Sequence, residues 1–161
     1  MADTLQITLA KALKLKNRLA GKIAKLTLTV QTYNSTQEAA ERIDVRAAFE
    51  QRADLVRRLT DLKYALARAN APIQRDIFDL AELKAEVTLL AGLNTKHGTF
   101  LEGYPTAGTV SYVAQFRKAD VDAMTDALER KIDALQDKLD TFNAQTTVAV
   151  DADTIAAGDA K

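Results

Sequence analysis

The chain has 161 residues, of which 47% are hydrophobic and 27% charged, and its formal net charge at pH 7 is zero. This length predicts one domain with a real core, and the balanced charge favours neither nucleic acid nor an acidic ligand as the partner of the whole molecule. The absence of cysteine excludes disulfides, thiolate chemistry and cysteine-ligated zinc. Since no apolar run approaches the ~20 residues that cross a bilayer, we expect a soluble protein without a signal peptide.

The first predicted element is a helix over residues 5–28, because its apolar residues share one helical face. Basic side chains lie roughly opposite that face, and no acidic residue falls between Asp3 and Glu38. We call these side chains the basic stripe: Lys11, Lys14, Arg18, Lys22 and Lys25. The following residues alternate in polarity and are rich in β-branched side chains, which predicts a short strand near 26–33.

The second and third predicted helices cover residues 43–70 and 77–92, and Pro72 separates them because the residue before a proline is pushed out of the helical region. Four of the six glycines then fall within a predicted long loop over residues 92–112. A loop of this length in a small helical domain is usually either functional or an interaction surface. We expect it to contact a partner through four of its side chains: Lys96, His97, Phe100 and Tyr104.

The fourth predicted helix covers residues 119–142, and its apolar residues recur in steps of four and three. They form an apolar seam, which we expect to mediate packing and oligomerisation: Val121, Met124, Leu128, Ile132, Leu135, Leu139 and Phe142. A second set with similar steps forms an acidic stripe: Asp122, Asp126, Glu129, Asp133, Asp137 and Asp140. The basic and acidic stripes are suited to neighbouring helices, within one chain or between chains. The alternative is that both stripes are solvated faces.

Further strands are predicted near residues 109–116 and 146–150, and with the strand near 26–33 they could pair into one small sheet. The fold prediction is therefore an all-α, elongated antiparallel bundle or coiled-coil hairpin of about four helices, with a small β-sheet. A single helical domain is expected over residues 1–148, and residues 149–161 are predicted to be a polar tail.

The sequence offers little chemistry. His97 is the one histidine, and a lone histidine builds neither the usual zinc site nor a catalytic triad by itself. The glycines near Lys96 match neither a phosphate-binding loop nor a dinucleotide fingerprint. We therefore predict a non-enzymatic protein without catalytic, cofactor-binding or metal-binding residues.

The predicted partners are other copies of this chain and further proteins of a larger assembly, because thin apolar stripes on long helices make a narrow core that neighbouring copies would thicken. One alternative stays open. The basic first helix could bind the nucleic-acid backbone, or it could lie on an anionic membrane surface with its leucines inserted.

Five segments of the chain together resemble one known family. In sequence order they are Leu9-Ala-Lys-Ala-Leu13, Leu62-Lys-Tyr-Ala-Leu-Ala-Arg-Ala-Asn70, Tyr112-Val113, Val121-Asp-Ala-Met-Thr-Asp-Ala-Leu128 and Asp140-Thr-Phe-Asn-Ala-Gln-Thr-Thr147. Their order is similar to that of the septicolysin-like family of small helical bacterial proteins, over most of residues 5–148. The resemblance implies a helical fold and carries over no catalytic residue. Proteins of this size and shape also occur as accessory components of bacteriophage particles, so we expect the chain in the cytoplasm, or in a virion if it is phage-encoded.

Overall fold

The computed structural model describes residues 3–36, 43–103 and 108–160. Within these ranges the backbone forms, in chain order, β1 (Thr4–Thr8), α1 (Leu9–Tyr33), α2 (Val45–Asn70), a 3₁₀ turn (Ala71–Ile73), α3 (Gln74–Ala91), β2 (Gly98–Glu102), β3 (Gly108–Tyr112), α4 (Lys118–Gln145), β4 (Thr147–Asp151) and α5 (Ala152–Asp159). The prediction of a mainly helical fold with a small amount of sheet is confirmed.

The chain divides into two compact units, where the sequence predicted a single domain. The first unit comprises residues 1–72 and 140–161, and the second comprises residues 73–139. Helix α4 begins in the second unit, and its last residues belong to the first. Because it comprises residues 1–72 and 140–161, the first unit contains both ends of the chain.

The first unit is built on the antiparallel helices α1 and α2. Arg52 Nε, near the start of α2, donates a hydrogen bond to Thr27 Oγ1, near the end of α1, at 2.7 Å. Side chains from α1, α2 and β4 form the core, and each is at most 8% exposed: Leu9, Ala12, Leu15, Leu19, Leu55, Leu62, Leu66, Val148 and Val150. Because each buried Leu or Val contributes about 1.5–3 kcal/mol, this cluster is the main source of stability of the unit.

Strands β1 and β4, which lie near the two ends of the chain, pair antiparallel. Leu5 lies opposite Val150, and Ile7 lies opposite Val148. In a pleated strand alternate residues share a face, so this register puts the four apolar side chains on one face. Val148 and Val150 are buried in the core and Ile7 packs against it, whereas Leu5 is 48% exposed. The pairing explains why residues 5–8 are a strand rather than the predicted first turn of a helix: α1 begins only after Thr8, whose Oγ1 accepts a hydrogen bond from Lys11 N at 3.3 Å.

The second unit contains α3, most of α4 and the antiparallel hairpin of β2 and β3. Helix α3 follows the 3₁₀ turn directly and ends at Gly92, whose backbone N–H donates to Thr88 O and Leu89 O. In the hairpin, Phe100 lies opposite Val110 and Gly98 lies opposite Tyr112.

The predicted strand near 26–33 is wrong, because these residues are the last turns of α1. Two β-branched residues there are accommodated in the helix by their hydroxyls. Thr27 Oγ1 donates to Ile23 O at 2.7 Å, and Thr29 Oγ1 donates to Lys25 O at 3.1 Å. Leu26 packs against the core, whereas Leu28 is exposed. Leu26 and Leu28, two positions apart, therefore lie on opposite sides of the helix instead of sharing one face of a strand.

The other predicted strands exist, but they do not share one sheet. β3 covers the start of the predicted strand near 109–116 and pairs with β2, within a segment that we predicted to be a loop. β4 matches the strand near 146–150 and pairs with β1. The predicted polar tail at 149–161 instead contains the end of β4 and helix α5, and Asp151 caps α5 by accepting a hydrogen bond from Asp153 N at 2.7 Å.

Candidate functional site

The apolar seam predicted on α4 is half-buried along most of its length. Its buried members are Val121 and Leu139, Met124 is 41% exposed, and the rest are intermediate: Leu128, Ile132, Leu135 and Phe142. Phe142 packs against the core of the first unit. The other six members lie in the second unit, which buries Val121 and Leu139 and covers the remaining four incompletely.

An open groove of about 560 Å³ runs between α3 and α4 in the second unit. Leu83, Ala134 and Leu135 form its apolar floor. One ion pair spans the two helices, because Lys138 Nζ lies 2.7 Å from Asp76 Oδ2. An ion pair therefore links the two helices beside a groove whose apolar floor is open.

The core of the second unit is small. Among its described residues, the buried apolar side chains are those of Ile73, Leu90, Val121 and Leu139. On α3, by contrast, Phe78 is 61% exposed and Leu89 is 66% exposed. Small domains are marginally stable because they bury little of their surface, and this unit buries less apolar surface than its helices carry.

The basic stripe of α1 faces the C-terminal helix α5. Lys22 Nζ donates hydrogen bonds to Ala157 O and Ala160 O, each at 2.5 Å. Arg18 forms an ion pair with Asp159 at 2.5 Å. The C-terminal carbonyls of a helix carry partial negative charge and favour a cation, so Lys22 caps α5. The neighbour of the basic stripe in the first unit is thus a helix that the sequence did not predict.

Next to this contact, an open groove of about 720 Å³ lies between α1 and α5, and we call it the α1/α5 groove. Its floor is apolar and includes Ile7, Leu15 and Ile155. Lys11 and Lys14 stand on its rim, and neither forms an ion pair with any described residue. The groove therefore combines an apolar floor with two uncompensated positive charges.

The acidic stripe is exposed along the whole of α4. Asp122 forms an ion pair with Lys118 on the same helix. Asp140 belongs to the first unit and the other members to the second. Within one chain these carboxylates form an exposed face of α4.

One face of the hairpin carries a compact cluster of four side chains, which we call the hairpin cluster: Lys96, Phe100, Glu102 and Tyr112. Lys96 Nζ lies 2.6 Å from Glu102 Oε1, and the Tyr112 hydroxyl donates to Glu102 Oε2 at 2.6 Å. The rings of Phe100 and Tyr112 meet edge to face with centroids 5.9 Å apart. Lys96 Nζ is 5.8 Å from the Phe100 centroid and 5.1 Å from that of Tyr112.

These contacts shift the protonation equilibria of the cluster. The hydrogen bond from Lys96, followed by that from Tyr112, lowers the pKa of Glu102. The hydrogen bond to Glu102 raises the pKa of Lys96 and also that of Tyr112. Hydrogen bonds that favour the charged carboxylate and ammonium and the neutral phenol produce these directions. The cluster is therefore held in one protonation state near neutral pH.

The rest of the predicted partner loop has other roles. His97 Nδ1 accepts a hydrogen bond from Ala114 N at 3.3 Å, so it helps to fix the base of the hairpin. Tyr104 lies outside the described residues. Beyond the cluster, Leu101 is 77% exposed and Val113 is 84% exposed.

No family model, curated protein or solved structure matches this chain. The resemblance to the septicolysin-like family stays a prediction. The described residues contain no group of three or more His, Cys, Asp or Glu side chains that could hold a metal ion. In the same ranges, no helix is long and apolar enough to cross a membrane.

Sequence reasoning missed Glu102 and Tyr112 of the hairpin cluster and Asp159 of the α5 contact. The first two could have been found, because Phe100 and Glu102 alternate along one strand and Tyr112 alternates with Val110 on the next. For Asp159 the sequence holds no comparable signal, since its partner Arg18 is at the other end of the chain.

Proposed function

We propose that this chain is a non-enzymatic assembly protein, a helical homo-oligomeric building block or adaptor of a larger assembly such as a bacteriophage particle. The observation that supports this proposal is the small core of the second unit. Its helices leave Phe78, Leu89 and Met124 exposed and the middle of the apolar seam half-covered. Large exposed apolar surface usually marks a contact with another protein.

The spacing of the seam supports a second copy as the partner. Leu128, Ile132, Leu135 and Leu139 follow one another in steps of four, three and four. This is the spacing with which identical helices pack side chains into one another's gaps in coiled coils. A seam that is half-covered within the chain can complete its burial against the same seam of a neighbour.

The alternative of nucleic-acid or membrane binding depends on a free basic stripe. Arg18 and Lys22 of that stripe are engaged by α5. A binding surface for phosphate groups would therefore rest chiefly on the remaining lysines, and affinity for a nucleic-acid backbone grows with the number of phosphates neutralised. We consequently favour assembly.

The experiment is the absolute mass of the purified chain by light scattering over a range of protein concentrations. We expect a defined oligomer. Leu135→Asp should lower its mass, because a carboxylate buried in an apolar contact costs several kcal/mol unless it is paired. Circular dichroism should show that the variant retains its helices.

Ala123→Asp is the matched control, because it adds the same carboxylate to α4 at an exposed position outside the seam. It should keep the mass of the wild type. A wild-type chain that is monomeric at every concentration would refute the proposed function. A Leu135→Asp variant with an unchanged mass would refute the role of the seam.

A further inference from the structure

The α1/α5 groove has a counterpart elsewhere on the chain. Along α3, Phe78, Glu82 and Leu89 project within roughly 40° of one another, at about 100° per residue. Glu86 stands beside them, and all four side chains are exposed. We call them the outer face of α3. This face combines an aromatic ring and a leucine with two carboxylates.

The two surfaces match in charge. Glu82 and Glu86 form no ion pair with any described residue, as is also true of Lys11 and Lys14 on the rim of the groove. One helical turn separates the members of each pair, which are ~4.5 Å apart along α1 and ~6 Å apart along α3 at 1.5 Å per residue. Two carboxylates can therefore reach the two ammonium groups at the same time.

They also match in polarity. The floor of the groove is formed by Ile7, Leu15 and Ile155, and its volume of about 720 Å³ exceeds that of one aromatic side chain. Phe78, at 61% exposed, is the large side chain that such a cavity would take. Aromatic anchors in apolar pockets with a polar rim carry much of the binding energy at protein interfaces.

We propose that the outer face of α3 in one copy of this chain docks into the α1/α5 groove of a second copy, with Phe78 on the apolar floor and Glu82 and Glu86 on the lysines of the rim. This inference rests on the proposed homo-oligomer and assigns two of its contacting surfaces. The surfaces differ from each other, so the contact is heterologous and links copies head to tail, in a ring or in an open filament.

The experiment uses paired charge reversals in the full-length chain. The groove variant carries Lys11→Glu with Lys14→Glu, and the helix variant carries Glu82→Lys with Glu86→Lys. Each variant alone brings like charges together, so its assembly should weaken by about tenfold or more. An equimolar mixture should form mixed assemblies that neither variant forms alone, because each variant supplies the surface that the other needs.

Two controls separate this contact from general effects. Lys16→Glu with Lys63→Glu makes the same charge change outside the groove and should leave the mass unchanged. Phe78→Ala should weaken assembly by about tenfold or more, whereas Phe49→Ala removes a similarly exposed ring from α2 and should not. Circular dichroism confirms that every variant is folded.

Several outcomes would overturn the inference. If both charge-reversed variants keep the wild-type mass while Leu135→Asp lowers it, the groove contact is wrong and the proposed function stands. If the variants dissociate and the mixture forms no mixed assemblies, the two surfaces do not meet. If the groove variant keeps its mass but loses salt-sensitive binding to duplex DNA or to phosphatidylserine vesicles, the groove binds that anion instead. A monomeric wild-type chain would refute both proposals.

Discussion

Gly158 of α5 lies so close to Leu15 of α1 that a Cβ atom added to the glycine would be 2.0 Å from Leu15 Cδ1. Leu15 is 1% exposed and lies within the core of the first unit. A side chain surrounded on all sides cannot move away without displacing its neighbours. The glycine is therefore what allows α5 to pack directly on α1 and places Asp159 beside Arg18.

Gly158→Ala should destabilise the first unit by about 1–3 kcal/mol, the usual cost of adding a carbon to a filled core. The measurement is the free energy of unfolding in urea. Gly21→Ala is the control, because nothing lies within 4 Å of a Cβ at Gly21, within α1. It should instead stabilise the chain by about 0.5–1 kcal/mol through helix propensity. Equal effects of the two substitutions would contradict the close packing of α5.

Removing the ammonium group that caps α5 should loosen this helix without unfolding α1. Lys22→Met removes hydrogen bonds to Ala157 O and Ala160 O, and we expect a loss of about 1 kcal/mol. Amide hydrogen exchange should report it as faster exchange in α5. Lys25→Met removes a charge from the same stripe, where no hydrogen bond to α5 is made. If it accelerates exchange in α5 equally, charge in general rather than capping holds the helix.

The hairpin cluster predicts coupled changes in two pKa values. Lys96→Met should raise the pKa of Glu102, because it removes the hydrogen bond that lowers it most. Glu102→Gln should lower the pKa of Tyr112, since the hydrogen bond to the carboxylate is the main cause of the raised value. Side-chain NMR titrations measure both. Thr99→Val is the control, because Thr99 contacts Ser111 on the opposite face of the hairpin. It should leave both values in place.

The same shifts set the pH range in which the cluster stabilises the hairpin. The lowered pKa of Glu102 means that its contribution is complete above the ordinary pKa of a glutamate and is lost as the pH falls through the lowered value. The pKa values of Tyr112 and Lys96 are raised. The stabilising contributions of these two side chains are therefore complete below the ordinary pKa values and are lost as the pH rises through the raised pKa values. Amide protection of β2 and β3 should therefore be greatest between about pH 5 and pH 10. Protection that is constant from acid to alkali would contradict a role for the cluster.

The parts of the fold that the sequence predicts well are those governed by local periodicity. The helix predicted over residues 119–142 corresponds to α4 (Lys118–Gln145), because its apolar seam repeats for several turns without a breaker. The strand predicted near 26–33 failed because a period of two over a few residues also fits the end of an amphipathic helix. In the structure the hydroxyls of Thr27 and Thr29 donate hydrogen bonds to carbonyls of the preceding helical turn.

The parts that local reasoning could not predict depend on residues far apart in the chain. β1 is a strand because β4 pairs with it, and the two are separated by most of the sequence. Helix α5 is short, and a helix of its length is marginal in water on its own. Gly158, Lys22 and Asp159 stabilise it through contacts with α1. The α1/α5 groove could not be predicted for the same reason, because it forms only when α5 packs on α1.

The unequal cores of the two units predict that dilution should affect them differently. The first unit has a filled core around Leu15 and Leu62, which does not depend on another chain. On α3, by contrast, Phe78 and Leu89 are exposed in a single copy. Binding that stabilises the folded form adds about 2.7 kcal/mol when the partner concentration is a hundred times the dissociation constant. Amide exchange should therefore show protection in α3 that falls on dilution, while α1 and α2 stay protected.

Phe78→Ala should remove this concentration dependence and Phe49→Ala should preserve it. If α3 is equally protected at every concentration, the second unit is stable in a single copy. That result would contradict a role for its exposed apolar surface in self-assembly.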